Sequence, residues 1–289
     1  MIKQIKITVQ QAITEGNSKK LRKCFYTLRN LMSEGTDFSS EDLDFLASLV
    51  KQQKFLDLGG GWYFVMLSQV SREDLSFHKS EKVDSVILTA YDALEKISPE
   101  LLGEAIEQAI ESGEEMQMEE CASAISTAIA GLSYFPNKYF NLVIQFLQEK
   151  RFLTSNGSWH LLSLLYSGNW EFISGEQKTR LLPLLETSYH SFTDWMARFV
   201  TTEMLGEYYA NEEAFNILCR LKKIEAEEKR NLIPHGFEHI VTDSHNRELE
   251  KQAYEQLLDM KSDSSENVRD EVEISLQRIA NQGIKLPPS

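Results

Sequence analysis

Along most of the chain apolar residues return every third or fourth position rather than every second, and short clusters of Gly, Ser, Asn, Asp and Pro interrupt the pattern. That spacing belongs to a helix with one buried face; a half-buried strand would alternate with period two. The pattern therefore predicts an all-α chain of about 15 helices, with no strand. They fall near 3–15, 18–33, 40–51, 61–70, 81–97, 99–112, 116–133, 136–150, 156–167 and 175–188. Five more follow near 192–209, 211–222, 226–241, 246–260 and 265–281. Ser98-Pro99-Glu100 supplies a cap, a proline for the first helical position and an early acid, and Ser174 with Gln177 fits a capping box. In the last helix Ser265 is placed as an N-cap, Glu266 and Asp270 add early negative charge, and Val268, Val272, Leu276 and Ile279 form an apolar stripe. The run Gly59-Gly60-Gly61-Trp62 reads as a connection between helices, because no strand precedes it and the spacing of a phosphate loop is absent. The tail, 283–289, cannot continue a helix past its prolines and is expected to fray.

Composition makes this a folded chain: 42% of the 289 residues are apolar, enough for a core. Cys24, Cys121 and Cys219 are too few and too scattered for a disulfide framework or a CxxC metal site, and read as reduced core residues. No apolar run reaches the about 20 residues of a membrane span and the N-terminus lacks a leader pattern, so a soluble cytoplasmic protein is expected. A formal net charge of −14 argues against nucleic-acid binding, which needs a basic face. The charge is uneven. Between Ile97 and Asn137 there are eight glutamates and neither lysine nor arginine. Glu104, Glu107 and Glu111 recur at helical spacing, and Glu114, Glu115, Glu119 and Glu120 follow; together they form a candidate acidic face for a basic protein partner. Trp159 and Trp170, close to Asn156-Gly157 and Gly168-Asn169, are candidate aromatic anchors for such a partner.

The C-terminal third repeats itself. The segments 197–205 and 268–276 match in an arginine followed seven residues later by leucine, with Arg198 and Arg269 separated by 71 residues, or two helical-hairpin units. A middle unit is expected at 233–240, where Ile233 and Ile240 are seven apart. The second helices agree, since those from Ala214 and from Ala253 share the pattern A-x-x-x-L-x-x-[LM]. These residues resemble HEAT repeats over 190–282, with Asp194 and Arg198, Asp263 and Arg269, and Pro234 standing where that family has an aspartate, an arginine and a helix-bending proline. The resemblance implies an α-solenoid, a superhelix of antiparallel helix pairs, and a single elongated repeat domain over 1–289. Arg198 and Arg269 are then expected to pair with nearby aspartates and fix repeat stacking, and Leu276 to lie in the core.

One chemical motif stands out. His235-Gly-Phe-Glu238-His239 is a literal H-x-x-E-H, the pattern of inverted zinc peptidases, in which two histidines one turn apart bind zinc and the glutamate activates water. A catalytic zinc needs a third protein ligand, and Glu248, Glu250 and His245 are the near substitutes. No sheet is predicted and short motifs recur by chance, so His235, Glu238 and His239 are expected to be structural, with no metal and no cofactor. No nucleophile elbow or exposed reactive cysteine is evident either. The expectation is a non-enzymatic protein-binding solenoid, of the immunity-protein type that neutralises a basic toxin. The alternatives are a HEAT-like DNA glycosylase, which lacks its basic channel here, and a zinc hydrolase at 235–239.

Overall fold

The structure, a computed structural model, describes residues 2–33, 36, 38–60, 63, 67, 99–129, 132–166 and 168–284. The helix expected at 81–97, most of that at 61–70, Trp62, and the tail past 284 lie outside the described residues. Among the described residues all regular structure is helical. None of these helices is long and apolar enough to cross a membrane. The chain clusters into two compact units, one of Met1–Gln108 with Glu120–Leu132, the other of Ala109–Glu119 with Ser133–Ser289.

In the first unit α1 (Ile2–Glu15) and α2 (Ser18–Ser33) pack together through Val9, Ala12 and Ile13 on one and Leu21, Phe25 and Leu28 on the other. Gly16 ends α1 with a positive φ of 70°, and Asn17 starts α2 by accepting the Lys20 N–H on its side chain, so the turn is written locally. Helices α3 (Ser40–Leu49) and α4 (Gln53–Asp57) follow, and the Phe25 ring lies 5.6 Å from both Phe55 and Tyr63. Next come α5 (Pro99–Ser112) and α6 (Glu115–Ile129).

The second unit continues through α7 (Asn137–Phe146), α8 (Lys150–Leu153), α9 (Ser158–Ser163), a 3₁₀ turn at Trp170–Phe172 and α10 (Gly175–Tyr189). The Ser174 and Gln177 capping box forms as expected. Helix α11 (Trp195–Glu203) runs on into a π-helical segment, Met204–Tyr209, stopped by Ala210 in the left-handed region (φ 39°). Then come α12 (Glu212–Leu221), α13 (Glu227–Arg230), α14 (Ile233–Asp243), α15 (Arg247–Met260) and α16 (Glu266–Asn281). The single helix expected over 226–241 is thus two. Pro234 lies in the first turn of α14, where its missing N–H costs no intrahelical bond; it starts a helix rather than bending one.

Three arginines perform one task in this unit. Arg198, Arg230 and Arg269 each stand four residues after the N-cap of α11, α13 and α16. Arg198 Nη1 donates to the carbonyls of Phe192 (3.0 Å) and Thr193 (3.3 Å), and Arg269 Nη1 to those of Asp263 (2.7 Å) and Ser264 (3.1 Å). Arg230 Nη1 does the same with Ile224 and Glu225 (3.0 Å). The expected pairing of Arg198 and Arg269 with aspartates is corrected: the acceptors are backbone carbonyls six and five residues upstream. Asp194 instead caps α11, accepting from Met196 N (2.8 Å) and Gly157 N (3.2 Å). Asp263 takes a bidentate bond from Arg230, with both contacts at 2.8 Å.

Two details of α16 also differ from expectation. Ser265 occupies the N-cap, but its hydroxyl makes no cap bond; the Ser265 N–H is held by Asp263 Oδ1 at 2.9 Å. The buried stripe is Val268, Val272, Ser275 and Ile279, while Leu276 is only half-buried. At 100° per residue position 275 sits closer to that face than 276, and Ser275 helps hold the Glu238 carboxyl below its ordinary range.

Candidate functional site

A cluster of ionisable side chains in the second unit lies where α11 and its π-helical extension meet α14. Close approach is possible because Gly206 carries no Cβ. A Cβ on Gly206 would stand 2.4 Å from the Gly236 carbonyl oxygen and 2.7 Å from His239 Cβ. The π segment begins one residue after Glu203, so the widened turn lies directly beside this crossing.

The crossing delivers Glu203 to the two histidines of the H-x-x-E-H segment. His235 and His239, one turn apart, both turn Nε2 toward Glu203 Oε1; His235 is in direct contact and His239 stands at 3.2 Å. Each imidazole has a second carboxylate on Nδ1, Asp243 for His239 at 2.9 Å and Glu238 for His235 at 3.5 Å. Asp243 is steadied by the Thr242 hydroxyl at 2.7 Å, and Glu238 by Arg278 of α16 at 3.4 Å. Phe199 stacks on His235 with centroids 5.0 Å apart, and Trp195 stacks on Phe199 at 5.3 Å. The side chains of Glu203, His235 and His239 are 14%, 12% and 20% exposed.

The electrostatics follow from these contacts. Burial alone would raise the Glu203 pKa, but hydrogen bonds from His235 and His239 outweigh it and hold the carboxyl at about 2. Burial alone would lower His239, yet Glu203 and Asp243 push it up to about 9. His235 is raised against its burial by Glu203 and Glu238. Glu207 is raised by burial, with Glu203 and Asp243 adding to the effect and His239 opposing it.

Glu238, which the H-x-x-E-H pattern would make a water activator and which was expected to be structural, is 4% exposed and contacts His235 and Arg278, on the Nδ1 side of His235. Of the expected third partners, Glu248 is exposed on α15, Glu250 pairs with Arg247 at 3.4 Å, and His245 sits in the turn after α14 with φ 53°. The third group at the histidines is Glu203, 32 residues before His235.

Of the glutamates in the acidic stretch, Glu104, Glu111, Glu114 and Glu119 are exposed, Glu107 and Glu115 are half-buried and Glu120 is buried. Glu104 pairs with buried Arg22 at 3.2 Å, and Glu120, 6% exposed, pairs with Arg29 at 2.8 Å. Glu115 accepts the Trp159 indole N–H at 3.0 Å and lies 3.5 Å from His160 Nε2. Glu114 accepts from Gln117 at 2.6 Å, and Glu107 is half-buried. Glu111 and Glu119 are exposed. Strict three-and-four spacing places glutamates along a helix but does not say which of them a neighbouring arginine or indole will claim.

The two candidate aromatic anchors are also engaged inside the protein. Trp159 stacks on His160 at 3.7 Å, and Trp170 meets Tyr209 edge-on at 4.8 Å beneath the Lys178 ammonium at 4.4 Å. Among the described residues the exposed tryptophan is Trp195, at 48%. Its position directly after the Asp194 cap was the available signal, since the first turn of a helix often faces solvent.

No protein-family model matches the chain, and no curated protein matches it in sequence.

Proposed function

We propose that this protein is a non-enzymatic binding protein whose second unit is a HEAT-like α-solenoid, and that its partner is a basic protein, as for an immunity protein that covers a toxin. The observation that carries the reading is recurrence. Arg198, Arg230 and Arg269 repeat one anchoring contact. Polar bonds in this unit also recur about one helical-hairpin length apart. Ser188 donates to Leu147 O (41 residues), Tyr189 to Lys229 O (40), Thr193 to Thr154 O (39) and Asn267 to Glu227 (40). A stack in which each hairpin touches its neighbours produces such a ladder, and stacked hairpins offer extended surfaces for partners. Two further features favour binding over chemistry: Glu238 is committed to helix contacts, and the net charge of −14 favours capture of a basic protein.

The test is capture on the immobilised protein from the native source, identification by mass spectrometry, and association kinetics at low and high salt for the wild type and for Glu111→Lys with Glu119→Lys. A basic protein whose association slows with salt, and slows several-fold in the folded double variant, supports the reading. A captured partner indifferent to both salt and charge reversal, or nucleic acid as the sole ligand, overturns it. Glu104 and Glu120 are left unchanged because their reversal would disrupt contacts with Arg22 and Arg29.

A further inference from the structure

We propose that Glu203, His235 and His239 form a site for one divalent transition-metal ion of the zinc class, which ties α11 to α14 and leaves a fourth coordination position to water. The ligand atoms of the three residues lie within 4.8 Å of one another. The separation of 3.2 Å between His239 Nε2 and Glu203 Oε1 is close to the edge, about 3.3 Å, of a tetrahedron built on metal-to-ligand bonds of about 2.0 Å. Two imidazoles and one carboxylate are a donor set that suits zinc and its neighbours and is poorly matched to magnesium or calcium, which take oxygen cages.

The surroundings supply the second argument. Imidazoles that bind metal through one nitrogen usually donate the other N–H to a carboxylate, which sets the tautomer and aims the lone pair. His239 has that arrangement, with Nδ1 on Asp243 at 2.9 Å and Nε2 on the Glu203 oxygen; His235 shares that oxygen, and its Nδ1 lies 3.5 Å from both Glu238 and Arg278 Nη1. Those two carboxylates are themselves held, Asp243 by Thr242 and Glu238 by Arg278. Phe199 packs flat on the His235 ring and fixes its plane. An imidazole pair kept only to neutralise Glu203 needs no acid on the His239 Nδ1. This assignment departs from the sequence expectation of purely structural histidines, because the ligand that completes the set comes from α11, 32 residues before His235.

The experiment is equilibrium dialysis of the full chain against Zn²⁺ with excess Mg²⁺ present, metal analysis, and Co²⁺ substitution followed by visible absorption. One Zn²⁺ per chain, intense tetrahedral-type Co²⁺ bands, a thermal midpoint raised by several degrees, and loss of all three in Glu203→Gln and His239→Ala are expected. His160→Ala, a histidine outside the cluster, should keep full stoichiometry. Wild-type protein that retains no Zn²⁺, weak octahedral-type Co²⁺ bands, or full stoichiometry in both folded variants overturns the proposal. If a variant fails to fold, the wild-type Co²⁺ spectrum decides alone.

Discussion

Buried arginines are satisfied differently in the two units. In the first, Arg22 donates to Tyr63 Oη, to Gln108 (2.6 Å) and to Glu104, and Arg29 faces Glu120 at 2.8 Å with both side chains under 10% exposed. In the second, Arg198 and Arg269 take backbone carbonyls a few residues upstream, and Arg230 takes such carbonyls while also holding the distant Asp263 carboxylate. A carboxylate partner has to be brought from a distant point of the chain, so each such pair is unique. Every helical connection has carbonyls, so the second device can recur wherever an arginine follows an N-cap by four residues. The difference separates an arginine that specifies one contact from one that specifies a repeating unit.

The largest effect should come from breaking the first kind. Arg29→Ala removes the guanidinium that faces the buried Glu120 carboxylate at 2.8 Å and should cost about 3–5 kcal/mol in chemical denaturation. Replacing both, Arg29→Met with Glu120→Leu, should recover most of that loss. A double variant as unstable as Arg29→Ala would mean that shape, not charge, governs this site. Arg198→Ala should cost less, about 1.5–3 kcal/mol, because it removes charge-assisted bonds to neutral acceptors and leaves no buried charge behind. Equal losses for Arg29→Ala and Arg198→Ala would erase the distinction.

Gly206→Ala tests the helix crossing in the second unit. Its methyl would meet a backbone carbonyl rather than a movable side-chain end, so a loss of about 1–3 kcal/mol is expected, together with weakened contact between Glu203 and the imidazoles. NMR titration of His239 should then show its pKa falling from about 9 toward the ordinary histidine range. An unchanged His239 titration would mean that the close approach does not position Glu203.

A smaller, pH-dependent effect belongs to Arg230 and Asp263. The Arg230 hydrogen bonds hold the Asp263 carboxyl below its ordinary range. The sign follows from the depressed native pKa: the stabilisation is present above the unfolded-state value, about 3.9, and is lost as pH falls through that value and the lower native one. Asp263→Asn should therefore cost on the order of 1 kcal/mol near neutrality and progressively less in acid. A constant difference from pH 7 to pH 3 would remove this pair from the acid response. Smallest of all, Leu276→Ala should cost about 1 kcal/mol or less, since the side chain is only half-buried. A loss as large as that of Ile279→Ala, about 2–5 kcal/mol, would return Leu276 to the core.

Most of the helix pattern was legible from neighbouring residues. The Ser174 and Gln177 box, the start of α5 at Pro99, and the buried stripes Ala214, Leu218, Leu221 and Ala253, Leu257, Met260 all rest on contacts within a turn or two. That His235 and His239 share a face was legible for the same reason. The stripe in α16 was misread at one position, because an apolarity rule prefers Leu276 to Ser275 and a hydroxyl enters the interior only when a partner such as Glu238 awaits it.

What determined the helices was therefore the sequence itself, through caps, glycine turns and apolar period, since these act over a few covalent neighbours. What only the tertiary structure decided was which side chains meet. Arg230, not the 233–240 segment, carries the middle anchoring arginine; Glu104, Glu115 and Glu120 were claimed by Arg22, Trp159 and Arg29; and Glu203 reached two histidines more than 30 residues later. Those meetings depend on the crossing at Gly206 and Gly236, on a π turn that shifts the register after Glu203, and on where neighbouring helices come to rest. Apolar periodicity records which face of a helix is buried, and carries no information about the polar group that will stand opposite it.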